Sequence, residues 1–266
     1  MIKSFKASHS HATEMRKGCR KRDGEGPSES RSRPLKYGYV SILGRRRVME
    51  DSVIVMPPRR LPCGYSFFAA HGCGGPKLVE TCTDKLHQCL EKRMAEAVEE
   101  EGLAWDKLVM DCFTSMYEDW GGLLKFTAVL DLPDKDEMLL VNCGGSRALL
   151  WTGGVALPLW TQADEADERV EALIMSDGEC VRGSAPEVRV MRRNGDSFLI
   201  IANDGLWNVV EKHTACEVVR ECLAGKIKSW PSEGGDGVSH AAAMLAELAI
   251  AKGSKDNITI VLLHLN

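Results

Sequence analysis

Two short acidic turns carry the residue types most suited to chemistry. Ala202-Asn203-Asp204-Gly205-Leu206-Trp207 sets a carboxylate at a glycine turn, and Gly253-Ser254-Lys255-Asp256-Asn257-Ile258 does the same. A third polar stretch, Gly44-Arg45-Arg46-Arg47-Val48-Met49-Glu50-Asp51, adds two carboxylates behind three arginines. Carboxylate oxygens are hard donors of the kind Mg²⁺ takes, and arginine pairs bidentately with phosphate or carboxylate. The same residues also have plainer uses. Asp before Gly or Asn is common in turns because its side chain bonds local backbone, and Glu50 and Asp51 could be strand-edge partners of Arg46 or Arg47.

His71-Gly72-Cys73-Gly74-Gly75 is the other motif with reactive side chains. A soft metal such as Zn²⁺ would need two further ligands, and no C-x-x-C pair supplies them. Cys73 precedes a helix expected to start at Pro76, where a thiolate is stabilised. A cysteine-based phosphatase would nevertheless need an arginine six residues on, and Val79 stands there.

These residues must be positioned by a sizeable core. The chain has 266 residues, 44% of them hydrophobic, enough for one domain. Residues 1–36 carry ten Lys and Arg against four acids, a net of +6 in a chain of net −4. Such an arm buries too little to fold alone, so it is expected to be disordered, with residues 37–266 forming the domain. No apolar run approaches the ~20 residues of a membrane span, and no signal peptide is evident. The expectation is a soluble, monomeric protein, cytoplasmic, nuclear or both, with its ten cysteines as buried reduced thiols.

Hydrophobic patterning predicts strands at Tyr37–Leu43, Val48–Met56, Tyr65–Ala70, Phe126–Leu130, Met138–Val141, Ala148–Trp151, Val188–Met191, Phe198–Ala202 and Ile258–Leu265. It predicts core helices from Pro76 to Met94 and from Trp105 to Tyr117, a short one over Ala166–Met175, and two more at Thr214–Leu223 and Val238–Ala251. Strands in two blocks, each followed by helices, favour an α+β layered sandwich over a doubly wound sheet.

Four motifs in order then resemble those of the type 2C, metal-dependent Ser/Thr protein phosphatases, especially plant members. They are the Tyr37–Asp51 opening with Arg46 and Glu50-Asp51, Asn142-Cys143-Gly144-Gly145-Ser146-Arg147-Ala148, Asp204-Gly205-Leu206-Trp207-Asn208-Val209, and Gly253-Ser254-Lys255-Asp256-Asn257-Ile258-Thr259. The resemblance implies a four-layer α-β-β-α sandwich with two Mg²⁺ or Mn²⁺ ions at one end. It makes Arg46 the phosphate-holding arginine and Glu50, Asp204 and Asp256 metal-cluster carboxylates, with Asp51 beside them and the Gly72 backbone contributing.

Departures from the family pattern fall on the chemistry. Its Asp-Gly-His-Gly-Gly is His71-Gly72-Cys73-Gly74-Gly75 here, exchanging the bridging aspartate for imidazole and the proposed proton donor for a thiol. Gly145 and Asn208 stand where the family has aspartates, and the chain between Cys180 and Pro186 runs through Arg182-Gly183-Ser184 where the family carries a longer flap. The expectation is a catalytically inactive relative, a pseudophosphatase, that binds a protein or phosphoprotein partner. No cofactor is expected, or Mg²⁺ or Mn²⁺ held weakly. The alternative is a weak Mn²⁺- or Mg²⁺-dependent Ser/Thr phosphatase.

Overall fold

Two apolar runs set the architecture: Phe198–Ala202 and Ile258–His264 are hydrophobic at nearly every position, so strands built from them must be covered on both faces. A computed structural model of the chain describes residues 35–56, 66–71, 84–85, 88–89, 92–93, 111–112, 125–132, 136–143, 147–159, 187–193, 195–227 and 237–265. Its strands are β1 (Lys36–Ile42), β2 (Ser52–Met56), β3 (Ser66–His71), β4 (Lys125–Leu132), β5 (Glu137–Cys143), β6 (Arg147–Thr152), β7 (Val155–Pro158), β8 (Glu187–Arg192), β9 (Phe198–Ala202) and β10 (Ile258–His264). The helices are α1 (Asp204–Trp207), α2 (Lys212–Leu223) and α3 (Gly237–Ala251).

The strands form two five-stranded sheets, in the orders β1-β10-β9-β6-β7 and β2-β3-β4-β5-β8. All described pairings are antiparallel. Successive side chains on a strand point to opposite faces, and the first sheet uses both. Leu199, Ile201, Val261 and Leu263 enter a core shared with Val129, Met138 and Leu140 of the second sheet. Phe198, Ile200, Ile258, Ile260 and Leu262 face the other way, against α2 and α3. Fully burying one such aliphatic side chain is worth about 1.5–3 kcal/mol.

Helix α3 meets that face through Val238, Ala241, Ala242, Leu245, Ala246 and Ala249, spaced three and four apart on one side. Its alanines let the backbone lie close to α2, which offers Ala215, Cys216, Val219 and Cys222. On the second sheet, Ala128, Leu130, Leu139 and Val141 are buried although they alternate with the residues of the shared core. That sheet too is covered on both sides. The arrangement is the expected α+β sandwich.

Within the expected Pro76–Met94 and Trp105–Tyr117 helices, the described residues Asp84, Lys85, Gln88, Cys89, Lys92, Arg93, Asp111 and Cys112 are all helical. Ala166–Met175 lies outside the described residues, as does the basic arm except for its last two positions. There, Leu35 is buried and Lys36 already pairs with His264. Cys112, Cys216 and Cys222 are buried free thiols and Cys89 is half-buried. Burial pushes the Cys216 thiol up to about 11, which keeps it protonated and inert near neutral pH. No described helix is long and apolar enough to cross a membrane.

Candidate functional site

Antiparallel register gathers the acidic turns. Ile42 ends β1 opposite Ile258, which begins β10, and Ala202 ends β9 opposite both Ile260 and Arg147. The turns after β1, before β10 and after β9 therefore leave one end of the first sheet together, with Arg147 beside them. In the second sheet Ser52 pairs with Ala70, so Asp51 and His71 are the neighbouring positions at the ends of β2 and β3.

Two asparagines organise this end. Asn203 donates through Nδ2 to Asp51 Oδ2 at 2.7 Å and to the Asn257 carbonyl at 2.8 Å. Its Oδ1 accepts the Thr259 N–H at 3.1 Å, and its own N–H bonds the Thr259 carbonyl at 3.2 Å. Asn257 donates through Nδ2 to the carbonyls of Leu43 at 2.8 Å and Val48 at 3.2 Å, while its Oδ1 accepts the Glu50 N–H at 2.9 Å. The first asparagine ties β9 to β10, and the second fixes the loop before β2. Sequence reading placed neither among the candidates.

Asp51, expected beside the metal carboxylates, is buried at 5% exposure. Its Oδ2 also accepts from the Thr259 hydroxyl at 2.8 Å, and Thr259 in turn lies 2.9 Å from the Ser41 hydroxyl. Because the Thr259 proton is committed to Asp51, Ser41 is the donor in that second bond. The preceding Glu50 is exposed.

Asp204 and Asp256 are each held by an arginine. Arg46 Nε donates to Asp256 Oδ1 at 2.9 Å, and that oxygen also accepts the Asn257 N–H at 2.8 Å. Arg147 Nη2 donates to Asp204 Oδ1 at 3.2 Å. The hydrogen bond and charge of Asp256, with Glu50 and Asp51 adding charge, hold the Arg46 pKa above its ordinary value. Asp204 opens α1, which is anchored by buried Leu206 and by the Trp207 indole N–H, shared between the carbonyls of Ala202 at 3.0 Å and Arg147 at 3.2 Å. Asn208 is exposed and closes α1 with its N–H on the Asp204 carbonyl at 3.0 Å.

His71 is the last residue of β3, paired with Lys125. Gly72, Cys73, Gly145 and the Arg182-Gly183-Ser184 stretch lie outside the described residues. The donor set fits a hard divalent ion in kind: Asp204 and Asp256 are partly exposed and show no described partner for Oδ2. Among the described residues, no three His, Cys, Asp or Glu side chains come together as a cage.

Gly205 has no room for a side chain. A Cβ there would run into the Asn257 carbonyl and lie 3.0 Å from Asn203 Oδ1. Gly205→Ala should therefore cost about 1–3 kcal/mol in urea unfolding, as overpacked sites do. Wild-type stability in that variant would show that the two turns are not rigidly joined.

Comparison with known proteins agrees with this geometry. Residues 174–258 match the family model described as Protein phosphatase 2C. The chain is 33% identical to Probable protein phosphatase 2C 8 of Oryza sativa subsp. japonica, over 87% of its own length and 74% of the relative's. It is 34% identical to Probable protein phosphatase 2C 78 of Arabidopsis thaliana, with 86% and 72% covered. Among solved structures, the Mycobacterium tuberculosis serine/threonine phosphatase PstP/Ppp superposes with a TM-score of 0.56 at 22% identity, covering 87% of this chain and 99% of that one. The catalytic domain of PstP in complex with two manganese ions gives 0.52 at 21% identity, covering 86% and 97%. These structural likenesses establish the fold. They also correct one expectation: the absence of a cofactor, or only weakly held Mg²⁺ or Mn²⁺, does not stand beside relatives named as type 2C phosphatases and a fold neighbour solved with two manganese ions.

Proposed function

Because the chain belongs to the protein phosphatase 2C family, we propose that it keeps the family scaffold and part of its ligand-holding apparatus, has lost efficient phosphoester hydrolysis, and works by binding a protein or phosphoprotein partner. The observation that carries this reading is His71. It ends β3 beside the β2 end that leads from Asp51, where the family motif has an aspartate. A carboxylate offers an oxygen to each of two ions, whereas a neutral imidazole offers one lone pair and no charge. Cys73, in place of the histidine two residues on, is a thiol poorly matched to general-acid work near neutral pH.

Asp204 and Asp256, with Glu50 nearby, are the residues that would hold Mn²⁺ or Mg²⁺. Bound there, the metal supplies Lewis acidity toward a phosphoryl oxygen. The chain's own part is orientation. Arg46 uses Nε on Asp256, and its terminal nitrogens show no described partner, so they can donate to two oxygens of a phosphate in bidentate fashion. Arg147 fixes Asp204 in the same way.

The purified protein is expected to release only background phosphate from phospho-Ser and phospho-Thr peptides, with either Mn²⁺ or Mg²⁺ present. Robust release that disappears in Asp204→Ala would overturn the reading. It would instead support the alternative, a weak metal-dependent Ser/Thr phosphatase, which the retained Glu50, Asp204, Asp256 and Arg46 favour.

A further inference from the structure

We propose that the tip of the β1–β2 turn, Leu43 to Val48, is a docking surface for an acidic protein segment that carries aliphatic side chains. Arg45 and Arg47 make the ionic contacts, and Leu43 and Val48 make the apolar ones. The proposal deepens the reading of the chain as a binding protein and rests on it.

All six residues of the tip are exposed, Leu43 at 42% and Val48 at 64%. Exposed apolar residues scattered singly are ordinary. Here two of them bracket three arginines within one turn. Arg46 is taken up by Asp256, whereas Arg45 and Arg47 form no ion pair among the described residues.

The tip is also held in shape before any partner arrives. Asn257 bonds the carbonyls at both of its ends, Leu43 and Val48, and the Arg46 N–H closes a turn onto the Leu43 carbonyl at 3.3 Å. Gly44 has a φ of +61° and packs against the Asp256 carbonyl, which leaves no space for a side chain. A surface fixed in this way loses little conformational entropy on binding.

Charge selects the occupant. Two guanidinium groups with no ion pair among the described residues call for carboxylates, and bidentate pairing suits them. A membrane or a nucleic acid duplex would present its negative charge to the rest of the domain as well. The whole chain is −4 while residues 1–36 carry +6, so the remainder is −10 and repels an extended anionic surface. A short acidic peptide meets the tip alone.

The test uses the full chain and a fluorescent, unphosphorylated peptide of alternating Glu and Leu, read by anisotropy at low salt. Arg45→Glu with Arg47→Glu should weaken binding by about tenfold or more. Leu43→Ser with Val48→Ser should weaken it by about threefold to fivefold. Val190→Ser, on an exposed position of β8, should leave it unchanged. All five side chains are exposed, so thermal unfolding should confirm intact folds. Binding that ignores both tip variants would overturn the proposal, as would tighter, tip-dependent binding to anionic phospholipid vesicles or duplex DNA. Because the peptide bears no phosphate, its binding is independent of the phosphate-release assay, and either result can fail alone.

Discussion

Restoring the family motif through His71→Asp together with Cys73→His is expected to raise Mn²⁺ affinity at least about tenfold, while phosphopeptide hydrolysis stays within about tenfold of the unaltered protein. Affinity should rise because the new carboxylate adds charge and two donor oxygens at the end of β3, at the sheet end where Asp51 leads into β2. Turnover should lag because the machinery is short in other places. The family resemblance implies that Gly145 takes a carboxylate's place and that the chain between Cys180 and Pro186 replaces a longer flap. Misplacing a reacting group by about 1 Å can cost about 100-fold, so one repaired motif does not rebuild an attack geometry. Calorimetric titration with Mn²⁺ reads the first effect, and phosphate release reads the second. Turnover at the level of active relatives would show that the two central substitutions alone silence the site.

The core was legible in sequence because its signal is local. Phe198–Ala202 and the β10 run are apolar beyond what alternation alone would give, and α2 and α3 carry their small and apolar residues at helical spacing. β7 was missed. It is only four residues long and ends in Pro158, although Gly153-Gly154, at φ of +57° and +85°, is the kind of pair that closes a two-residue hairpin. The four-residue α1 was likewise too short to show a period.

The site divides along the same line. Asp204 and Asp256 could be picked out by residue type, Arg46 among its three arginines only through the family resemblance, and register then placed their turns at one end of a sheet. Asn203 and Asn257 could not, because in sequence they look like turn punctuation next to an aspartate. Their role depends on partners 152 and 214 residues away, Asp51 and Leu43. The sequence puts Asp51 beside Glu50 at the metal cluster, yet neighbours in extended chain face opposite ways. One is exposed, and the other is buried in a hydrogen-bond network.

At the far end of the second sheet, Asp131→Ala is expected to destabilise the fold by about 3–5 kcal/mol. β4 starts at Lys125 beside His71 and ends at Leu132 opposite Glu137, so Asp131 lies away from the acidic turns. It meets Arg193, Nη1 to Oδ1 at 3.4 Å, with side-chain exposures of only 5% and 3%. Arg193 also donates its backbone N–H to the Asp136 carbonyl at 2.9 Å, continuing the β5–β8 pairing. Deleting the carboxylate takes an ion-pair partner from a guanidinium that is 3% exposed, and that guanidinium's desolvation, more than the lost attraction, sets the size of the effect. The same argument predicts that Asp131→Leu combined with Arg193→Met returns to within about 1–2 kcal/mol of the starting stability, since neither charge is then buried. Urea unfolding of Asp131→Leu, Arg193→Met and the double variant closes the cycle. A loss below about 1 kcal/mol in Asp131→Ala would mean that water reaches Arg193 and that the pair behaves as a surface contact.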